Sequence, residues 1–333
     1  NAVTVDAIKA YYKDFYGISN SASLVAIGNM DEQAVKGYFE KEYGSFKNTK
    51  PYTEISNPYK PSKPANEQII TPDKKNAFTL GILGGGQLGR MLLQAAANYT
   101  VETYVLENDP NCPAAHLCHH FIQGDITNFD DVYAFGKKVD VLTIEIENVN
   151  IEALEKLESE GVKVIPKPSA IKIIKNKIKQ KGFYQVNEIP TSDFVVTHTK
   201  ESLPHHHAFL PAVHKLGEGG YDGKGVQIIR TKDDFEKGFD APSVLEKMVA
   251  IDKELAMIVA IAQDGTATLY PPAEMIFDPV LNLLDYQISP ALLPEKVSWK
   301  AEAIALKLVK AFNSPGLFAV ELFVTKDEEV FVN

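Results

Sequence analysis

An apolar run that breaks into glycines and resumes as an amphipathic helix sets the architecture from residue 79 onward: Leu80-Gly81-Ile82-Leu83-Gly84-Gly85-Gly86-Gln87-Leu88-Gly89-Arg90-Met91-Leu92. A short buried strand passing through a tight turn into a helix is the opening of an α/β unit. In such a turn Gly84 admits the bend, Gly86 lets backbone approach an anion, and Gly89 lets the helix pack on the strand. Amides at the helix N-terminus then favour a phosphate. The G-x-G-x-x-G spacing serves a purely structural turn equally well, so its meaning rests on the residues downstream of it.

Those residues alternate between two periodicities. Strands are expected at 79–84, 102–107, 139–146 and 162–165, with helices at 87–98 and 151–160, which predicts a parallel sheet covered on both faces. Residues 209–229 read instead as antiparallel hairpin material around the glycine-rich segment 217–225. Strands at 243–249, 254–262, 267–271 and 317–324 and a helix near 300–312 complete a second, α+β architecture. Upstream, residues 6–17 have helical spacing, 23–28 read as a strand, and Asp31 caps a helix over 32–43 ended by Gly44. Pro51, Pro58, Pro61 and Pro64 mark an extended connector.

With 333 residues, 45% of them hydrophobic, the chain can fill several cores. A formal charge of -10 offers no basic field to nucleic acid or anionic membrane, so phosphate chemistry falls to local residues and small-molecule substrates. Two cysteines, Cys112 and Cys118, exclude a disulfide scaffold and suit a reducing compartment. No apolar run reaches the roughly 18 residues of a membrane span.

The blocks GILGGGQLGRML, IEIENVN (144–150), KLGEGGYDGKG (215–225), VLEKMV (244–249), KELAMIVA (253–260), YPPAEM (270–275) and FAVELFV (318–324) resemble, in order and spacing, the N5-carboxyaminoimidazole ribonucleotide synthase family of ATP-grasp ligases. The resemblance implies a Rossmann-like pre-ATP-grasp domain over 78–176, an ATP-grasp lid subdomain over 177–250 and a C subdomain over 251–333. It implies carboxylation of 5-aminoimidazole ribonucleotide by bicarbonate, driven by ATP with Mg²⁺, in a cytoplasmic homodimer. Residues 1–77 resemble part of a pitrilysin/insulinase-type zinc peptidase domain. They lack its H-x-x-E-H, so no peptidase activity is expected, and a chimera of two truncated genes is the expected origin, a natural fusion the alternative.

Carboxylating a weakly basic amine is uphill, so bicarbonate must first become carboxyphosphate. Cations must hold the phosphates, carboxylates the metal, and a closed loop must exclude water. By resemblance Lys177 and Lys215 contact the ATP phosphates, although Lys177, inside KIIKNKIKQK, also reads as one solvated charge among several. Gly219 and Gly220 belong to the loop over the triphosphate. Tyr221, Asp222 and Lys224 face the carboxyphosphate and aminoimidazole end, Asp222 orienting or deprotonating the amine and Lys224 holding the anion. Lysine at 224 replaces the family's arginine and loses its fork, and Gly217 replaces a usually basic residue.

Glu246 and Val249 are expected on the hinge that reads adenine, and Glu254 on the ATP ribose. Gly86, Gln87 and Leu88 are expected at the substrate phosphate, and Glu145 and Glu147, alternating on a strand end, at its ribose. Glu321 lies in the apolar strand FAVELFV, where burial of a lone carboxylate is costly, so it is expected to bind the metal. The family's next block begins at Asn333, which predicts a C-terminally truncated ligase.

Other readings stand beside this one. An NAD-dependent oxidoreductase would use the glycine fingerprint with Glu107, about 20 residues on. A formate-using glycinamide ribonucleotide transformylase shares the nucleotide chemistry, and a binding-only module fits a chain with two broken ends. Cys112, His116, Cys118, His119 and His120 lack structural zinc spacing, and His205, His206 and His207 read as a loop.

Overall fold

A computed structural model describes residues 4–15, 31–45, 47, 50, 78–219, 225–278 and 283–333. The chain divides into two units, Asn1–Ile70 and Thr71–Asn333. In the first, α1 spans Val5–Phe15 and α2 spans Glu32–Tyr43. Asp31 Oδ1 accepts from the Gln33 and Ala34 amides at 2.8 and 3.1 Å, and Gly44 stands at the C-cap, as the sequence implies. The strand expected at 23–28 and the proline-bearing connector lie outside the described residues.

The second unit opens with β1 (Phe78–Leu83), α3 (Gln87–Ala96), β2 (Val101–Glu107), β3 (His120–Gln123), α4 (Phe129–Gly136), β4 (Val141–Ile144), α5 (Ile151–Ser159) and β5 (Lys163–Val164). Its five strands are all parallel, in the order β3-β2-β1-β4-β5. Both faces of β1 are covered, so its consecutive residues Ile82 and Leu83 are each fully buried. Leu83 joins Phe135, Leu142, Leu154 and Leu157 on one side; Ile82 joins Leu93, Val105 and Ala114 on the other. Because β1 lies between β2 and β4, the connections leave in opposite directions there. Such a switch point is where open α/β sheets place a ligand crevice, outside the carboxyl ends of the strands.

Two helices, α6 (Pro168–Ile174) and α7 (Lys177–Val186), lead to β6 (Phe194–Thr197), β7 (Ala212–Leu216), β8 (Val226–Ile229) and β9 (Ser243–Lys247). These strands form an antiparallel sheet, β6-β9-β7-β8, in which β7 and β8 make the expected hairpin. After a three-residue connection the chain enters a second antiparallel sheet: β10 (Ile251–Ile261), β11 (Ala267–Leu269), β12 (Ala273–Phe277), β13 (Leu284–Ile288), β14 (Gly316–Thr325) and β15 (Val330–Val332). Between β13 and β14 runs α8 (Glu295–Ala311), beginning just after Pro294, earlier than expected. Its Val297, Ala301, Ala305 and Leu308 pack on Leu255, Met257, Val320 and Leu322. No helix among the described residues is long and apolar enough to cross a membrane.

His214 on β7 is fully buried. Its Nδ1 faces the Phe239 amide, which donates at 3.2 Å, and its Nε2 pairs with Thr197 Oγ1 at 2.8 Å. That arrangement fits neutral imidazole, and burial pushes its pKa down to about 4. Between pH 6.5 and 4 the unfolded chain takes up a proton that the folded chain refuses. Stability is therefore expected to fall as pH drops through this window, by on the order of 2 kcal/mol from this residue. Urea melts of wild type and His214→Gln across about pH 7 to 4 check it: the variant's pH slope should be shallower.

Candidate active site

Two carboxylates meet the glycine turn. Glu145, just past β4, accepts from the amides of Gly86 at 2.7 Å and Leu88 at 3.1 Å, at the N-terminus of α3. Glu107, ending β2, accepts from the Gly85 amide at 3.0 Å and the Asn108 amide at 2.8 Å. Gly84 has φ of +103°, a conformation that favours glycine. A Cβ at Gly86 would stand 2.5 Å from Glu145 Oε1, so the close backbone approach expected there is made to an acid of the same chain. Glu107, needed by the dinucleotide reading, is already engaged by backbone.

Glu145 and Glu147 do not alternate on a strand, because β4 ends at Ile144. Glu145 turns to the glycine loop, while Glu147 is exposed and close enough to support the charge of Lys177. Gln87 and Leu88 open α3 with exposed side chains.

A second constellation joins the two antiparallel sheets. Lys177 opens α7; its amide donates to the Gly217 carbonyl at 2.7 Å, tying the helix to the base of the glycine hairpin. Burial pushes its ammonium pKa down and Lys215 adds to the effect, while Glu321, Glu246 and Glu147 oppose it. It is not one of a row of solvated charges. The β7/β9 register, Val213 opposite Glu246 and Lys215 opposite Val244, sets Lys215 and Glu246 diagonally on one face. Lys215 Nζ lies 3.1 Å from Glu246 Oε1 and donates to Asn333 Oδ1 at 2.9 Å.

Glu246 is buried, and its Oε2 takes Lys181 Nζ at 2.8 Å and Ser192 Oγ at 2.7 Å. Burial works against its charge, yet the two lysines outweigh it and hold the carboxyl below its usual range. Val249 falls in the three-residue connection from β9 to β10; its carbonyl accepts from Ile251, and its amide has no hydrogen-bond partner among the described residues.

Glu254 and Glu321 stand on neighbouring strands, Glu254 opposite Phe323 and Glu321 opposite Ala256, so they share one face diagonally. Burial raises the Glu254 pKa, the charge of Glu321 raises it further, and Lys215 opposes both. Glu321 is exposed on that face, while Phe318, Val320, Leu322 and Val324 point into the core. The expectation that burial forces a partner on Glu321 is therefore corrected. Its actual neighbour is Asn333, whose Nδ2 donates to Glu321 Oε2 at 2.9 Å.

Gly219 is described, with φ of +81°, and a Cβ there would meet nothing within 4 Å among the described residues. Gly220, Tyr221, Asp222 and Lys224 lie outside the described residues. The structure thus brings Lys177, Lys215, Glu246, Glu254 and Glu321 together, and adds Lys181, Ser192 and Asn333. The i, i+4 spacing of Lys177 and Lys181 puts both on one helix face and could have signalled the first of these. The histidines and cysteines have local roles: His119 Nδ1 meets Thr103 Oγ1 at 2.9 Å, His120 pairs with Glu102, and Cys112 packs under Gly85.

A parallel pre-domain leading into two antiparallel sheets, with lysines and acids between them, defines an ATP-grasp protein. Residues 77–175 match the ribonucleotide synthetase preATP-grasp domain and residues 182–333 the ATP-grasp domain. N5-carboxyaminoimidazole ribonucleotide synthase of Brucella melitensis is 32% identical over 273 residues, covering 78% of this chain and 73% of that protein. The chloroplastic phosphoribosylaminoimidazole carboxylase of Vigna aconitifolia is 35% identical over 264 residues, 76% of this chain and 46% of that one. The solved N5-carboxyaminoimidazole ribonucleotide synthetase of Thermotoga maritima superposes with a TM-score of 0.69 at 34% identity, covering 77% of this chain and 67% of that one. The carboxyaminoimidazole ribonucleotide synthase of Aspergillus clavatus, solved with ATP, gives 0.72 at 32%, covering 77% and 69%. The chain belongs to the N5-carboxyaminoimidazole ribonucleotide synthase family. It spans about half the length of several of the curated relatives it matches.

Proposed function

We propose that this chain carries the ATP site and the aminoimidazole ribonucleotide loop of an enzyme that carboxylates 5-aminoimidazole ribonucleotide with bicarbonate, releasing ADP and phosphate. The observation that carries the reading is the convergence of Lys177 and Lys215 with Glu246, Glu254 and Glu321 where the two antiparallel sheets meet. Two partly desolvated ammonium groups suit a triphosphate, and the acids beside them suit a divalent cation. Relatives solved in complex with ATP, or with ADP and 5-aminoimidazole ribonucleotide, support the same ligands.

Mg²⁺ fits the donor types present: Glu321 and Glu254 offer hard carboxylate oxygens on one face, and Asn333, whose Nδ2 faces Glu321 while its Oδ1 faces Lys215, carries an amide oxygen. When bound it would neutralise phosphate charge. The rest falls to this chain's own groups. Lys177 and Lys215 hold the phosphates, Glu246 and the Val249 amide meet the base, and Glu254 accepts from the ribose hydroxyls. Gly219, Gly220 and their loop exclude water while Asp222 orients the substrate amine and Tyr221 and Lys224 hold the acyl phosphate. Gly86, Gln87 and Leu88 take the substrate phosphate, with Glu145 and Glu147 near its ribose.

The reading extends to a cytoplasmic homodimer, and to residues 1–77 as a non-catalytic peptidase-like segment of separate origin. ADP release that requires aminoimidazole ribonucleotide, bicarbonate and Mg²⁺ together is the expected result, abolished by EDTA and restored by added Mg²⁺. Binding of NADH with no nucleotide-triphosphate turnover would overturn it.

A further inference from the structure

The Glu246 carboxylate is used unevenly. Oε2 receives two donors, Lys181 Nζ at 2.8 Å and Ser192 Oγ at 2.7 Å. Oε1 is equally buried and has no hydrogen-bond donor among the described residues, although Lys215 Nζ stands 3.1 Å away. That ammonium donates to Asn333 Oδ1 at 2.9 Å and faces Oε1 as a counter-charge without aiming a hydrogen at it. Buried acceptors are rarely left without a donor, because each one costs desolvation without return. Here the unused acceptor sits one strand end from the connection at 248–250, beside the two lysines assigned to the phosphates.

The groups that enforce this asymmetry come from outside the sheet. Lys181 is 1% exposed and reaches from α7, where Thr191 Oγ1 at 2.6 Å also fixes its ammonium. Thr191 is in turn tied to the Val332 carbonyl at 2.9 Å. With Oε2 clamped, the carboxylate cannot rotate to exchange its oxygens, and with Lys181 beside it the acid stays ionised and acceptor-only.

We infer that Lys181 is a positioning residue for base selectivity: it clamps Glu246 by Oε2 so that Oε1 keeps its acceptor capacity for the exocyclic amine of adenine. The inference rests on the nucleotide reading of this site. Guanine and hypoxanthine carry a carbonyl oxygen where adenine carries the amine, and would set two acceptors face to face. A site built around a hydrogen bond rejects the analogue that cannot make it far more strongly than a site built on shape.

The test is calorimetric titration of the whole chain with ADP and with inosine diphosphate. Wild type is expected to prefer ADP by at least about 10-fold. In Lys181→Met the preference should collapse to within about threefold, through weaker ADP binding and little change for inosine diphosphate. Glu246→Gln, which keeps Lys181 but can turn an amide donor toward the base, should show the same collapse and covers the case in which Lys181→Met does not fold. An unchanged ADP preference in a folded variant overturns the inference and leaves the nucleotide reading standing. Failure of wild type to bind ADP overturns both.

Discussion

Lys215→Met is expected to lose nucleotide binding and turnover together, with kcat/KM for ATP falling by roughly 100- to 1000-fold. Lys215 is the one lysine among the described residues that touches both halves of the site, near Glu246 on one sheet and Asn333, hence Glu321, on the other. On the proposed reading its removal takes a cation from the phosphates, and it strips a buried carboxylate of one of its two counter-charges. The second loss should also cost stability, on the order of 1–3 kcal/mol, because breaking one side of a buried pair leaves charge uncompensated. The two effects separate by measurement: thermal melts of the unliganded variant report the lost counter-charge on Glu246, and steady-state kinetics well below the melt report the lost nucleotide contact. An unchanged kcat/KM in the folded variant would place Lys215 in a structural role only.

The other large effect belongs to the parallel-sheet core. Phe135 on α4 is 1% exposed and lies under β1, where a Cβ at Gly81 would stand 2.9 Å from its ring. Phe135→Ala should destabilise the chain by about 3–5 kcal/mol, since the backbone cannot collapse fully around the cavity. For a unit of this size that corresponds to a melting temperature lower by about 10 °C. ADP affinity measured well below the melt should change less than about threefold, because the lysines and Glu246 stand on other elements, away from this core. A large loss of affinity at low temperature would mean the pre-domain core shapes the nucleotide site directly.

How far the residues alone reveal the fold depends on the range of the interaction. The α2 helix is bounded by its own neighbours, Asp31 and Gly44, and both ends are legible. The hairpin of β7 and β8 is legible for the same reason. The strand expected at 139–146 spans only 141–144; beyond it the Glu145 amide still donates to the Leu83 carbonyl at 2.8 Å while its side chain turns to amides of the glycine turn, a pull from β1 that no local pattern carries. The exposure of Glu321 is hidden because Ala319 and Phe323 make the outward row of β14 as apolar as the inward one. Lys181 shares a helix face with Lys177, a hint its spacing carries, but only packing shows that it is enclosed while Lys179 is exposed.

The clasp between Glu145 and the glycine turn makes two distant stretches of sequence answerable to one another. Gly86 and Glu145 are 59 positions apart, yet any side chain added at the first must fill space the second occupies. Neither can drift alone. Lineages that enlarge residue 86 should also shorten or replace residue 145, and would then have to recruit another acceptor for the orphaned amides.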